Sequence, residues 1–192
     1  MRIISGDMGS RRIRFPKSKK TRPMTDRAKE MIFNILSDSI QGAKVLDLFA
    51  GSGSLGIESL SRGAEHVIFV ENGPWAKKSL LNNLQALGLN EKSRVIFKDV
   101  FRTIGALEQK GKNFTFIFLD PPYNKGLVKK ILNRLDRSDI VTPLTQLILH
   151  HSRQEQLPES LESLQVLREK RFGQACLSFL SRRESHGQEE RQ

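Results

Sequence analysis

The sequence predicts an α/β fold in which a mostly parallel sheet carries helices on both faces and ends in an antiparallel edge hairpin. Three observations support this expectation. From residue 44 onward, short apolar runs alternate with segments of helical periodicity, the order that builds parallel sheets. The first apolar run passes through a glycine-rich turn directly into a helix. The last two apolar runs follow one another with no helix between them.

The elements follow in order. Residues 26–39 place Ala28, Met31, Ile32, Ile35 and Leu36 on one helical face. Val45-Leu46-Asp47-Leu48-Phe49 reads as a buried strand, followed by a helix through Arg62. Val67-Ile68-Phe69-Val70-Glu71 is the second strand. Residues 74–87 form a helix with Pro74 near its start, where a missing N–H costs least. Val95-Ile96-Phe97 is a third strand, 101–110 a helix, 114–120 a fourth strand, 125–135 a helix and 147–149 a fifth strand. Residues 164–167 and 176–180 read as the closing hairpin, joined through Gly173. The expected organisation is a basic N-terminal arm or hairpin with its helix (1–40), a main domain (41–181) and a polar, frayed tail (182–192).

Charge narrows the partners. The 192-residue chain carries a net charge of +11, which favours a polyanion: RNA, DNA or an acidic membrane surface. Residues 2–29 hold ten bases against Asp7 and Asp26, most of the whole excess. Arg11, Arg12, Arg14, Lys19, Lys20 and Arg22 are the candidate phosphate contacts. Little apolar material precedes Met31, so the stretch reads as an arm outside the core, with a short hairpin around Gly9. A single cysteine, Cys176, permits neither an internal disulfide nor a multi-thiolate zinc site, and no metal is expected. No apolar run approaches the ~18 residues of a membrane span. The first residues lack a hydrophobic signal region, so a reducing cytoplasm is the expected compartment.

Gly51-Ser52-Gly53-Ser54-Leu55-Gly56 matches G-x-G-x-x-G between a strand and a helix, and Glu71 ends the next strand. That is also the dinucleotide pattern. Asp47 separates the readings. A carboxylate before the first glycine would repel a pyrophosphate, whereas S-adenosylmethionine offers a sulfonium, an ammonium and ribose hydroxyls. Glu71 is then placed to accept from the ribose, and Asp99 from the adenine amino group. The structural alternatives are a turn cap at Asp47, a surface charge at Glu71 and a helix cap at Asp99.

Asp120-Pro121-Pro122-Tyr123 ends the fourth strand, on the sheet edge where open parallel sheets bind ligands. The prolines fix the backbone and remove two donors, leaving the Pro121 carbonyl free to accept. An exocyclic base nitrogen is a poor nucleophile because its lone pair is delocalised into the ring. Two acceptors on its hydrogens, Asp120 and a rigid carbonyl, favour a pyramidal nitrogen that attacks the sulfonium methyl in line. The Tyr123 ring stacks on the base. The structural alternative is a turn after a buried strand.

These motifs, taken with Arg2-Ile3-Ile4-Ser5-Gly6, Arg22 through Glu30, Phe33-Asn34-Ile35-Leu36 and Ser61-Arg62-Gly63-Ala64, resemble the bacterial 16S ribosomal RNA guanine-N2 methyltransferases (the RsmD type). Phe172-Gly173 and Leu177-Ser178-Phe179 are similar to that family's closing strands. The resemblance spans nearly the whole chain except the tail. It implies the class I, Rossmann-like methyltransferase fold with a seven-stranded sheet. S-adenosylmethionine is then the donor and S-adenosylhomocysteine the product, and Phe49, Asn72 and Val100 join Asp47, Gly51, Gly53, Glu71 and Asp99 as the expected donor site. The implied substrate is one guanine of small-subunit rRNA, within the small subunit or an assembly intermediate, and the implied state is a monomer. Asp-Pro-Pro-Tyr is shared with adenine-N6 DNA methyltransferases, so an adenine-N6 enzyme on DNA or RNA is one alternative. A non-catalytic RNA-binding or ribosome-assembly factor is the other. The family usually has Arg-Pro-Thr where this chain has Arg22-Pro23-Met24, a second glycine at Asp7, and commonly a Glu near His150.

Of the remaining candidates, His150 and His151 are neighbours on a strand, point to opposite faces and are read as structural. Trp75 is expected to pack. Asn34 has both a pocket-facing and a surface reading.

Overall fold

The computed structural model describes residues 1–15 and 24–183. Its strands are β1 (Lys44–Leu48), β2 (His66–Val70), β3 (Ser93–Ile96), β4 (Phe116–Leu119), β5 (Gln146–Ser152), β6 (Leu164–Phe172) and β7 (Ala175–Arg182). Its helices are α1 (Asp26–Leu36), α2 (Ser54–Ser61), α3 (Pro74–Leu87), α4 (Val100–Glu108) and α5 (Leu127–Asp136). The strands form one sheet in the order β3-β2-β1-β4-β5-β7-β6. The first five are parallel, and β7 runs antiparallel to both its neighbours. The chain steps outward from β1 through β2 to β3, then returns to lay β4 on the other side. That reversal opens a crevice between the carboxyl ends of β1 and β4.

Strand residues alternate between two apolar layers. Val45, Val67, Phe69, Phe116, Phe118 and Ile148 pack with α1, α2 and α3. Leu46, Leu48, Ile68, Val70, Ile117, Leu119, Leu147 and Leu149 pack with α4 and α5. Near-continuous apolar runs in the central strands follow from burial on both faces. Local chemistry sets the helix ends. The Thr25 hydroxyl accepts from Ala28 N at 3.2 Å to start α1, and Gly88 ends α3 with φ +69°. Among the described residues no helix is long and apolar enough to cross a membrane.

Two features differ from the sequence expectation. The closing strands are longer than 164–167 and 176–180, and β7 takes in Arg182, whose guanidinium donates to the carbonyls of Ser138 and Val141. Beyond Leu167 the outer strand reads Arg-Glu-Lys-Arg, and charged side chains suit an exposed edge strand. The rest of the expected tail, 184–192, lies outside the described residues.

The N-terminal hairpin is not an arm outside the core. Ser10 N and Ile3 N donate to Ile3 O and Arg11 O across the turn, and Ile3 and Ile13 are buried at 0% and 3% exposure in the α1–α3 layer. The reason is a buried ionic cluster. Glu58 of α2 accepts from Ile4 N at 2.8 Å and Ser5 N at 3.1 Å. It also pairs with Arg62 at 2.8 Å and with the buried Lys29 at 3.6 Å. Lys29 in turn donates to the carbonyl of Arg2. Burial pulls the Lys29 pKa down, while the Glu58 and Asp26 carboxylates oppose that shift.

Candidate active site

The glycine loop sits at the carboxyl end of β1, and each glycine there has a different physical reason. Gly51 has φ +57° and open space where a side chain would stand, which leaves its backbone accessible. Gly53 has φ +87°, and a Cβ there would lie 2.5 Å from Leu80 Cδ1. A Cβ on Gly56 would meet the Phe69 ring at 2.2 Å, so this glycine lets α2 lie close on β2. Just before the loop, Phe49 holds a left-handed φ of +78°. That strain costs a non-glycine residue roughly 1–2 kcal/mol. Its N–H and that of Ala50 both donate to Val70 O, which ties the loop to the end of β2.

The acids are arranged around this loop. Asp47 is 1% exposed, and its Oδ2 accepts from Gly56 N at 3.1 Å. Burial raises its pKa, the nearby charges of Asp120 and Glu71 add to the shift, the Gly56 bond opposes it, and the value is pushed up to about 7. Glu71 braces the loop: Oε2 accepts from Gly51 N at 2.7 Å, and Oε1 from Asn72 N at 2.9 Å and Gly73 N at 2.6 Å. Its carboxylate therefore faces the loop. Asp99 caps α4, accepting from Phe101 N at 2.9 Å and Arg102 N at 3.1 Å through one oxygen, so its structural alternative is realised. The Val100 side chain is buried in the α4–α5 layer, and Asn72 is exposed. Carboxylates from the ends of β2, β1 and β4 thus meet at one crevice. That field suits a cation and opposes a pyrophosphate.

Asp120 follows β4 directly, with Pro121 buried and Pro122 exposed. Asn124, at φ +57°, turns the chain after Tyr123. The structure brings in a residue that the sequence assigns only a structural part. His150, near the end of β5, places Nδ1 2.8 Å from Asp120 Oδ1. The Tyr123 hydroxyl lies 2.8 Å from His150 Nε2 and 3.3 Å from Nδ1. The two rings meet edge-on at 5.5 Å, and Phe172 of β6 stacks on the imidazole at 6.0 Å and 7°. Strand register was the available signal: Leu119 pairs with Leu149, so the next residues along, Asp120 and His150, are neighbours. His151 points to the opposite face, as expected. Its ring nitrogens contact Ser152 O and Ser178 Oγ. Among the described residues it forms, with Glu169 and Cys176, the one group of side chains close enough together to share an ion.

Of the candidate phosphate contacts, Arg11, Arg12 and Arg14 are exposed, while Lys19, Lys20 and Arg22 lie outside the described residues. The Arg14 backbone is held by Asn83 of α3, whose amide also donates to Ser52 O at 3.0 Å. The basic segment is thereby tied to the glycine loop. Trp75 does not pack: it stands 79% exposed on the first turn of α3, just past Glu71. Asn34 lines a shallow pocket with Ser37, Asp38 and Arg62, near the amino end of β1 and away from Asp120.

A family model described as conserved hypothetical protein 95 matches residues 1–181. YlbH of Bacillus subtilis (strain 168), a candidate rRNA methyltransferase, is 37% identical over 183 residues, covering 95% of this chain and 100% of that protein. Ribosomal RNA small subunit methyltransferase D of Escherichia coli (strain K12) is 33% identical over 188 residues, covering 98% of this chain and 92% of the relative. Among solved structures, the candidate methyltransferase yhhF from Escherichia coli superposes with a TM-score of 0.83 at 31% identity, covering 95% of this chain and 97% of that one.

Proposed function

Since the chain belongs to the family described as conserved hypothetical protein 95, the RsmD type of class I methyltransferase, we propose that it methylates the exocyclic N2 of a guanine in small-subunit rRNA. S-adenosylmethionine is the donor. We place the activity in the cytoplasm, acting as a monomer on the small subunit or an assembly intermediate. The observation that carries this reading is the shared crevice, where the glycine loop, the carboxylates of Asp47 and Glu71, and Asp120-Pro121-Pro122-Tyr123 converge. The residues fit the donor: Gly51 leaves open backbone, and Asp47, Glu71 and Asp120 surround the place a cation would take.

When bound, the donor supplies an electrophilic methyl on a sulfonium. The chain's own work is to position and polarise. Asp47 and Gly56 hold the loop between β1 and α2. Glu71 fixes the Gly51 N–H and keeps lone pairs for the ribose hydroxyls. Asp99 spends one oxygen on its cap and keeps the other for the adenine amino group. Asp120 and the Pro121 carbonyl accept the two N–H bonds of the base amine, and Tyr123 stacks on the ring. In-line transfer needs the reacting atoms roughly 3–3.5 Å apart, so rigidity at the two prolines serves the rate directly. The methylated nitrogen is itself acidified, so Asp120 needs to be only a weak base.

The test is Asp120→Ala, assayed for methyl transfer and for RNA affinity. Transfer is expected to be lost with RNA affinity unchanged. Surviving transfer would overturn the assignment of Asp120, and a parent chain that binds RNA but never transfers would favour the assembly-factor reading.

A further inference from the structure

We infer that His150 is a positioning residue of the transfer site, which orients Asp120 and Tyr123 together and leaves one Asp120 oxygen free for the base amine. This rests on the reading of the crevice as the transfer site.

The direction of each hydrogen bond follows from which atoms can donate. An ionised carboxylate only accepts. His150 Nδ1, 2.8 Å from Asp120 Oδ1, is therefore the protonated nitrogen. The Tyr123 hydroxyl, 2.8 Å from Nε2 and 3.3 Å from Nδ1, is close to both ring nitrogens and so lies over the imidazole face. The imidazole thus donates to the Asp120 carboxylate at its edge and packs against the Tyr123 hydroxyl with its face.

Two consequences follow. Asp120 Oδ1 is occupied, so Oδ2 remains for substrate, and with the Pro121 carbonyl it makes two acceptors for the two N–H bonds of an exocyclic amine. The Tyr123 hydroxyl is anchored on the protein, which fixes the plane of the ring that is to stack on the base. With Nδ1–H given to Asp120, the imidazole acts by orienting the carboxylate.

The imidazole is itself held. It is buried on β5 and stacks on Phe172 at 6.0 Å and 7°. Phe172 ends β6, so the antiparallel hairpin takes part in the site by clamping the residue that clamps Asp120.

The test compares His150→Phe, which keeps a flat ring against Phe172 but cannot donate to Asp120, with His150→Gln, whose amide can. Tyr123→Phe is the milder companion, removing the hydroxyl that packs on the imidazole with little change of shape. Each is measured for kcat, KM for RNA, donor Kd and thermal midpoint. His150→Phe is expected to lower kcat about 10–100-fold, the usual cost of losing a partner that orients a functional ligand, with donor Kd unchanged. His150→Gln should recover most of the rate, and Tyr123→Phe should fall between. Wild-type kcat in His150→Phe, or a His150→Gln as impaired as His150→Phe, would overturn the inference. Asp120→Asn run in parallel separates the two levels. If it is inactive while His150→Phe is normal, only the role of His150 falls; if both retain turnover, the transfer-site reading itself falls.

Discussion

Donor binding is predicted to depend on the charge of Asp47, in a pH window well above that of an ordinary surface carboxylate. Asp47 is buried beside Asp120 and Glu71, and its pKa is pushed up from 3.8 to about 7. A cationic donor in the crevice favours the ionised form. With a pKa of about 7, roughly nine-tenths of Asp47 is ionised at pH 8 and roughly one-tenth at pH 6. If the ionised form is the one that binds, donor affinity falls about tenfold between those values, or about 1.4 kcal/mol. Binding near pH 7 then releases about half a proton per donor. Titration calorimetry in two buffers of different ionisation enthalpy measures both quantities. Asp47→Asn keeps the donor's own amine titration and so supplies the baseline. The stability effect has the same origin. The folded pKa lies above the unfolded one, so the native chain binds the proton more tightly between about pH 4 and 7. This contribution to stability is present at low pH and is lost as pH rises through that window, by at most about 4 kcal/mol. Asp47→Asn should therefore melt higher than the parent at pH 8 while binding donor more weakly. A donor affinity that is flat with pH in the parent, or that varies equally in Asp47→Asn, would refute the reasoning.

Three further outcomes are expected. Gly56→Ala places a methyl 2.2 Å from the Phe69 ring and should destabilise by about 1–3 kcal/mol, read as a lower thermal midpoint. Lys29→Met leaves the buried Glu58 with Arg62 as its remaining cation among the described residues and should cost about 3–5 kcal/mol in denaturant unfolding; pairing it with Glu58→Gln should recover part of the loss. Replacing Arg11, Arg12 and Arg14 by Gln should reduce the log–log salt slope of RNA binding by about 0.7–0.9 for each phosphate no longer neutralised, and a slope unchanged by all three would remove them from the interface.

The sheet was legible because its central strands are buried on both faces and written as unbroken apolar runs. The hairpin's extent was not, since an exposed edge strand needs no apolar alternation and 168–171 is charged throughout. The N-terminal segment misled for a related reason. Its basic residues dominate the composition, while in its hairpin Ile3 and Ile13 enter the core, held by backbone N–H bonds to Glu58 that no residue pattern announces. The placement of Asp47, Glu71 and Asp120 at one edge was legible because strand ends and glycine turns mark one edge of a parallel sheet. His150 was passed over because its partners, Asp120 and Tyr123, lie about thirty residues earlier and become its neighbours only through β4–β5 register. Trp75 went the other way: a tryptophan predicts burial, and here its ring is left exposed on the first turn of α3.

The central claim is that this crevice transfers a methyl group to the exocyclic amine of a base in small-subunit rRNA. Labelled methyl transfer to naked rRNA, assembled small subunits and DNA, followed by digestion to nucleosides, tests it most directly. Label is predicted in N2-methylguanosine, recovered from RNA and lost with Asp120→Ala. Label in N6-methyladenosine, label in DNA, or none in any substrate would contradict it.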